Sequence, residues 1–305
     1  MRVSNAPRCA LRPLALLALA CAACSNDLEK QSEIVKLRVL AVSAEPADLV
    51  VSQGQPPPRT TLTALAVEPS GAPVTMRFAL CTEQSATPAP DLDCPGAQGI
   101  DLPPSGSTSA ILDLGDPRII AFAQSADAGV TDGGSLPIGG IPVVVGFEAS
   151  APAHTLPDGG PAGADGGPLQ IVRGFTLVDL HDDSRPTNRN PRVDALLVAA
   201  DGGPDLAPDG SVPVGTVQRL TPVPAPDAKE RVPGGAVESL GYSFFATAGS
   251  LSSLRSTDTT ATGEPADTFV DWNAPADPGP VRMWVVVRDG RGGTGWLERD
   301  FSVAR

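Results

Sequence analysis

The sequence predicts an all-β chain made of two sandwich modules in tandem, and three observations predict it. About seven short apolar or alternating runs lie between residues 36 and 180, separated by turn signals, which is the pattern of a β-sandwich. A similar pattern restarts after residue 191. No 3.6-residue apolar period persists over about 11 residues, so helix is a minor component. The length of 305 residues fits about two domains.

The chain begins with an address. Arg2, Arg8 and Arg12 form a basic start, and Leu14 to Ala20 is apolar but shorter than the roughly 20 residues that span a bilayer. A basic start, a short apolar core and small residues at its end describe an export signal. The run Leu19-Ala20-Cys21-Ala22-Ala23-Cys24-Ser25 resembles the lipobox of bacterial lipoproteins. That resemblance implies a signal peptide over residues 1–23, a diacylglyceryl group on the Cys24 thiol, and Cys24 as first mature residue. Cys24 has Ala22 and Ala23 before it and the longer apolar core. Its departure from the pattern is Cys21 at the third position upstream, where a branched aliphatic is usual, and Cys21 is the alternative acceptor. At about 0.8 kcal/mol per buried CH₂, two or three acyl chains hold a protein on a membrane. No aspartate follows either cysteine, which by the family's sorting habit points to the outer membrane. Residues 24–35 read as a polar tether.

The first module is expected over 36–181. Its strands are read at Leu37–Val42, Thr60–Val67, Val74–Leu80, Ala110–Leu114, Ile119–Phe122, Pro142–Phe147 and Ile171–Val178. Cys81 and Cys94 remain after processing. In an oxidising compartment they read as a disulfide closing a Pro-rich surface loop of about 13 residues, with free thiols or a metal site as alternatives. Residues 182–191 are polar and carry Arg185-Pro186 and Asn190-Pro191, which reads as a linker.

The second module is expected over 192–305. Val193–Val198, Gly215–Leu220 and Leu240–Thr247 echo the first strands of the first module, a weak internal repeat. Tyr242 to Gly249, Trp272-Asn273-Ala274-Pro275 and Gly279 to Gly293 resemble the bacterial Ig-like and PKD-like modules of surface proteins, over about a quarter of the chain. The resemblance implies a sandwich and is nearly silent on function. Period-2 geometry puts Met283, Val285 and Val287 on one face and Trp284, Val286 and Arg288 on the other. Asp289-Gly290 supplies the positive φ of a tight hairpin, and Trp296, Phe301 and Val303 form the returning edge.

Composition narrows the function classes. A net charge of −13 and a pI near 4.5 repel phosphate backbones, so nucleic acid is excluded as a partner. Gly 32 and Pro 33 make roughly a fifth of the chain, which fits strands separated by long loops. Asp-Gly pairs at Asp132, Asp158, Asp165, Asp201 and Asp209 lack both EF-hand and β-roll spacing, so flexible inserts explain them better than calcium. The stretches 127–140 and 152–168 are expected to be mobile. His181-Asp182-Asp183 could ligate a metal, and Asp179, Asp182 and Asp183 could hold one Ca²⁺. A solvated linker is the default for both, and for His154. No Gly-x-Ser-x-Gly run exists for a serine hydrolase. The Gly290 to Gly295 stretch follows a hairpin signal rather than opening a helix, which disfavours a phosphate loop.

These readings converge on a lipid-anchored envelope protein, without catalytic, metal or cofactor residues, that acts as a binding or scaffold module. Its partner would be a protein or a glycan met through loops or an exposed sheet edge. The alternatives are a structural spacer or accessory subunit of an outer-membrane assembly and, behind it, an envelope hydrolase built from scattered carboxylates. Mass spectrometry of the mature amino terminus is expected to find Cys24 carrying acyl chains; an unmodified terminus would overturn the anchor.

Overall fold

The strand Arg59–Val67 shows how the fold is assembled. Leu62, Ala64 and Ala66 point into one hydrophobic core, while Leu65 and Val67 point the other way into a second. A half-buried strand needs apolar residues on one face only, so this strand is covered on both sides at its end. The computed structural model describes residues 31–81, 94, 99–125, 140–152, 169–198, 211–232, 235–260 and 262–305. Gln31–Arg305 forms one compact unit.

Two sandwiches make up that unit, and they repeat one connectivity. In the first, β1 (Arg38–Glu45), β3 (Arg59–Val67) and β6 (Ser109–Asp113) form one sheet in the order β1-β3-β6. The facing sheet holds β2 (Asp48–Val51), β4 (Thr75–Leu80), β5 (Ile100–Asp101), β7 (Ile141–Pro152) and β8 (Leu169–Asp182), in the order β2-β8-β7-β4-β5. Their inward side chains, among them Leu49, Leu62, Phe78, Leu112, Val145 and Val178, form one core.

The second sandwich pairs β9 (Val193–Val198), β11 (Val217–Pro224), β13 (Ser250–Leu251) and β15 (Val270–Asn273) in the order β13-β15-β11-β9. Against it lie β10 (Ser211–Pro213), β12 (Gly241–Ala246), β14 (Arg255–Thr257), β16 (Gly279–Arg288) and β17 (Thr294–Ala304), in the order β10-β17-β16-β12-β14. Most strands correspond, with β13 an addition in the second sandwich. β1 and β3 match β9 and β11, and β4, β7 and β8 match β12, β16 and β17. The parallel pairing of β2 on the end of β8 matches that of β10 on the end of β17. Trp272 is fully buried in the second core, edge-on to Phe301 at 5.3 Å between centroids. This is the Ig-like sandwich arrangement, present twice.

One expected strand is a helix. Residues 119–122 read as a strand, but they lie in α1 (Pro117–Ser125). Asp116 Oδ1 accepts the Arg118 N–H at 2.9 Å, the side-chain cap of a helix start, and Pro117 is preset for the first helical position. The apolar run is four residues long in sequence and has no period of its own; the cap decides it. In the helix Ile119 is buried and Ile120 exposed.

The sandwiches share a third hydrophobic cluster. Leu40, Ala41, Leu65 and Val67 from β1 and β3 pack against Trp284 and Val286 of β16, with Phe245 and Trp296 at the rim. β16 is therefore apolar on both faces: Val281, Met283, Val285 and Val287 enter the second core, and Trp284 and Val286 enter the seam. Ile34, at the end of the stretch read as a tether, joins the seam at 1% exposure, and its N–H donates to Ala246 O at 2.9 Å. The Arg288 guanidinium donates to Leu40 O at 3.0 Å across the same seam, and burial pushes its pKa down.

Polar residues complete the junction. Residues 182–191 connect the sandwiches and bond to both. The Asn188 N–H donates to Asp48 Oδ2 at 2.7 Å, and Asn188 Nδ2 to Asp289 Oδ2 at 2.9 Å. Asn190 Nδ2 donates to Ala44 O at 2.6 Å, while its Oδ1 accepts the Thr294 N–H at 2.9 Å. Arg189 Nε donates to Glu230 Oε1 at 2.6 Å. Gly295 must lack a side chain, because a Cβ there would stand 2.0 Å from Pro191 O. Gly290 turns the β16–β17 hairpin at φ 76°, the positive φ expected of it. Trp284→Ala is expected to destabilise the protein by about 3–5 kcal/mol in chemical denaturation, since it empties a buried indole from the seam.

Candidate interaction surface

The residues singled out by sequence fall into three groups. Cys21 and Cys24, His154 and the Asp-Gly pairs at 132, 158, 165, 201 and 209 lie outside the described residues. Cys81 and Cys94 are joined as a disulfide with Cα atoms 5.8 Å apart. The bond is buried rather than superficial: Cys81 and Cys94 pack with Ala79, Val144 and Phe175 on the outer side of the five-stranded sheet.

His181 corrects an expectation. Read as a solvated linker residue, it is 1% exposed and inside the junction. Nδ1 donates to Asp182 O at 2.6 Å, and Nε2 lies 2.9 Å from Oδ2 of Asp48, itself 2% exposed. The parallel pairing of β2 with β8 sets Val50 beside His181, which brings Asp48 and the histidine together. A pairing between residues 133 positions apart leaves no local signal in the sequence. The neighbouring acidic residues are occupied separately. Asp179 accepts from Arg185, and Asp182 accepts the Ser184 N–H at 3.0 Å. Among the described residues no group of three or more His, Cys, Asp or Glu side chains converges on one ion position.

Asp289 is the carboxyl with a raised pKa, and burial is the main cause. Its oxygens accept from Arg291 N, Gly293 N and Asn188 Nδ2, so it serves the junction. Among the described residues, two open clefts lie elsewhere. One is lined by Gln55 to Arg59, Asp113 and Gly115, the other by Glu45, Pro46, Arg59 to Thr61 and Ile111. Neither includes Asp289.

Among the described residues, β8 leaves much of one edge unpaired. It has 14 residues and pairs with β7 from Leu169 to Leu180, but β2 covers its other side only from Asp179 to Asp182. Cys81 N donates to Val144 O at 2.9 Å, so the even-numbered residues of β7 turn their backbone groups toward β4. Its odd-numbered residues therefore bond to the even-numbered residues of β8, by the antiparallel register. Leu169, Ile171, Arg173, Phe175 and Leu177 are left with N–H and C=O directed away from the sheet. Among the described residues no backbone group pairs with this edge before Asp179.

The side chains of the same residues cover the outer face. Leu169, Ile171 and Leu177 are 64%, 50% and 57% exposed. Between them runs a row of charge: Arg173 Nε donates to Glu148 Oε2 at 2.7 Å, and Arg77 donates to both oxygens of Asp101 at 2.7 and 2.8 Å. The hydrogen bond to Asp101 raises the Arg77 pKa. The sequence reading found the strand as Ile171–Val178. It missed the extension to Leu169 and Asp182, and no local pattern says which side of a strand is left unpaired.

No protein-family model matches the chain, and no curated protein does. Solved structures show distant likeness. The D00-D0 domain of intimin is 11% identical over 87% of this chain and 100% of that chain, with a TM-score of 0.25. A nucleoside hydrolase-related hypothetical protein from Saccharophagus degradans is 15% identical over 38% of this chain, with a TM-score of 0.24, and only 26% of its own length is spanned. The mixed-linkage glucan locus protein SGBP-B of Bacteroides ovatus, solved with a heptasaccharide, is 10% identical over 88% of this chain and 48% of its own, with a TM-score of 0.21.

Asp289 makes a prediction about pH. Its folded pKa is raised, so its contribution to stability is fully present below the unfolded aspartate value, near 3.9, and is lost as pH rises through the folded value. Carboxyl-detected NMR titration is expected to place Asp289 above the ordinary aspartate range; a titration at or below that range would remove the burial argument.

Proposed function

We propose that this chain is a non-catalytic binding module of the bacterial cell envelope, carried on an acylated Cys24, with Cys21 as alternative, and that its partner is a polypeptide strand. The observation that carries the reading is the β8 edge, where Leu169 to Leu177 offers alternate free backbone groups beside exposed aliphatic side chains. Strand addition to such an edge draws affinity from main-chain hydrogen bonds and specificity from alternate side chains. The Cys81–Cys94 disulfide fits an oxidising, extracytoplasmic compartment.

A protein partner fits better than a glycan. Flat sugar faces are held on exposed aromatic rings. The chain has 8 phenylalanines, 3 tryptophans and 1 tyrosine, all in described segments, and none is exposed. The Tyr242 hydroxyl is buried in the second core, and burial raises its pKa.

A second reading, a spacer or accessory subunit of an outer-membrane assembly, draws on the junction. The seam around Trp284 and the hydrogen bonds of residues 188–190 join the two sandwiches into one body, as a spacer requires. Photo-crosslinking in envelope preparations separates the two. The binding reading expects a protein adduct from a probe at Arg173 that Leu177→Lys abolishes at unchanged protein level. Adducts indifferent to Leu177→Lys would overturn the edge as the binding element.

A further inference from the structure

We infer that the strand received by the β8 edge is the same edge of a second copy of this chain, running antiparallel about a twofold axis through Gly174. The inference rests on the reading that the β8 edge is the binding element, and it specifies the partner.

The open stretch has fixed limits. β2 occupies the edge from Asp179 onward, so a partner strand reaches from Leu169 to Val178. Within those limits one self-pairing uses Gln170 to Val178 in full, the one centred on Gly174. It sets the free backbone groups of Ile171 opposite those of Leu177, and those of Arg173 opposite those of Phe175, each occurring twice by symmetry. All of these residues direct N–H and C=O outward, so every opposed pair exchanges two hydrogen bonds.

The side chains agree with that register. On the outer face Ile171 meets Leu177, burying two aliphatic chains that are 50% and 57% exposed in the single chain. The Arg173 guanidinium meets the Phe175 ring, a cation–π pairing. On the inner face Val172 meets Thr176. Gly174 sits on the axis, where the two backbones come closest. Its inner side is filled by the Phe147 ring, which a Cβ would meet at 2.6 Å. Other registers are worse. Centring on Arg173 opposes each Arg173 to its own copy, a like-charge pair. Centring on Val172 leaves Leu177 without a partner.

The chain contains its own control. β17 occupies in the second sandwich the place of β8 in the first. Its outer residues there are Glu298 and Asp300, which pair with Trp284 and Arg282 across the strand. An antiparallel pairing of β17 with its copy around Arg299 would face Glu298 with Asp300. Charged side chains on an edge guard against strand addition, and here two like charges would face one another, each also held by Arg282 at 3.2 Å and 2.6 Å. At β8 the corresponding flanking positions are Arg173 and Phe175, of opposite kinds, with Ile171 and Leu177 beyond them; Arg173 pairs with Glu148 at 2.7 Å.

A single strand pair is smaller than the roughly 1,000 Å² of a stable complex, so the association is reversible and strengthened by co-anchoring on one membrane. The test uses the full-length protein in its native envelope. Ile171→Cys combined with Leu177→Cys is expected to give a disulfide-linked dimer on non-reducing gels. Each single variant is expected to give none, because like positions then lie about 20 Å apart. In detergent solution, sedimentation velocity is expected to show a concentration-dependent monomer–dimer equilibrium, weakened at least about tenfold by Leu177→Lys. Monomer at every concentration with no cross-link overturns the second copy as partner. If the Arg173 photo-adduct with another protein persists in that case, the edge reading survives; if it is also absent, both fall. Equal cross-linking by single and double variants overturns the register and the inference with it.

Discussion

The middle of β16, Met283 to Val287, is buried on both faces, and much of the architecture follows from that constraint. A strand in a two-sheet sandwich normally spends one face on its own core and gives the other to water. In β16 Val281, Met283, Val285 and Val287 enter the second core, while Trp284 and Val286 meet Leu40, Leu65 and Val67 of the first sandwich. Hydrophobic burial is roughly proportional to apolar area removed from water, so an indole and a valine at the seam fix the sandwiches against each other, which a flexible peptide connection alone does not do. The seam also removes the outer face of β16, and much of that of β1 and β3, from any role in recognition.

Around that apolar seam the polar connection takes a defined path. Asn188 and Asn190 each bridge the two sandwiches: Asn188 donates through its backbone N–H and its Nδ2, and the Asn190 amide both donates and accepts. A buried amide or carboxylate is tolerated when its partners are in place and is costly when they are not. At Asp48 the rule is met by one oxygen: Oδ2 faces His181 Nε2 and accepts the Asn188 N–H, while the buried Oδ1 has no partner among the described residues. Charged and polar composition here reports a crowded hydrogen-bonding junction, although the same composition in isolation describes a solvated linker.

The occupied faces determine what remains for binding. The seam covers the outer side of β16, carboxylates guard β17, and the cores absorb Trp272, Tyr242 and most of the phenylalanine rings. Among the described residues, the β8 side of the first sandwich is left with unpaired backbone and exposed leucine and isoleucine over a charged row. A symmetric repeat of one connectivity thus ends in an asymmetric molecule, because the two equivalent edge strands carry opposite side-chain chemistry.

Much of the fold was legible in the sequence. Alternating apolar residues bounded by Gly and Pro marked most of the long strands, since the period of a strand is local. Echoed strands on either side of residue 190 announced two similar bodies, and Asp289-Gly290 announced the last hairpin. The spacing of Cys81 and Cys94 suggested their bond, though not that Phe175 and Val144 would bury it. Residues 119–122 were misread because four apolar residues fit either structure, and the Asp116 cap with Pro117 chose the helix. The tertiary structure alone decided the seam, the His181–Asp48 pairing and the open side of β8. Each depends on residues brought together from distant parts of the chain, and a one-dimensional period records which face of a strand is apolar without recording what stands opposite it.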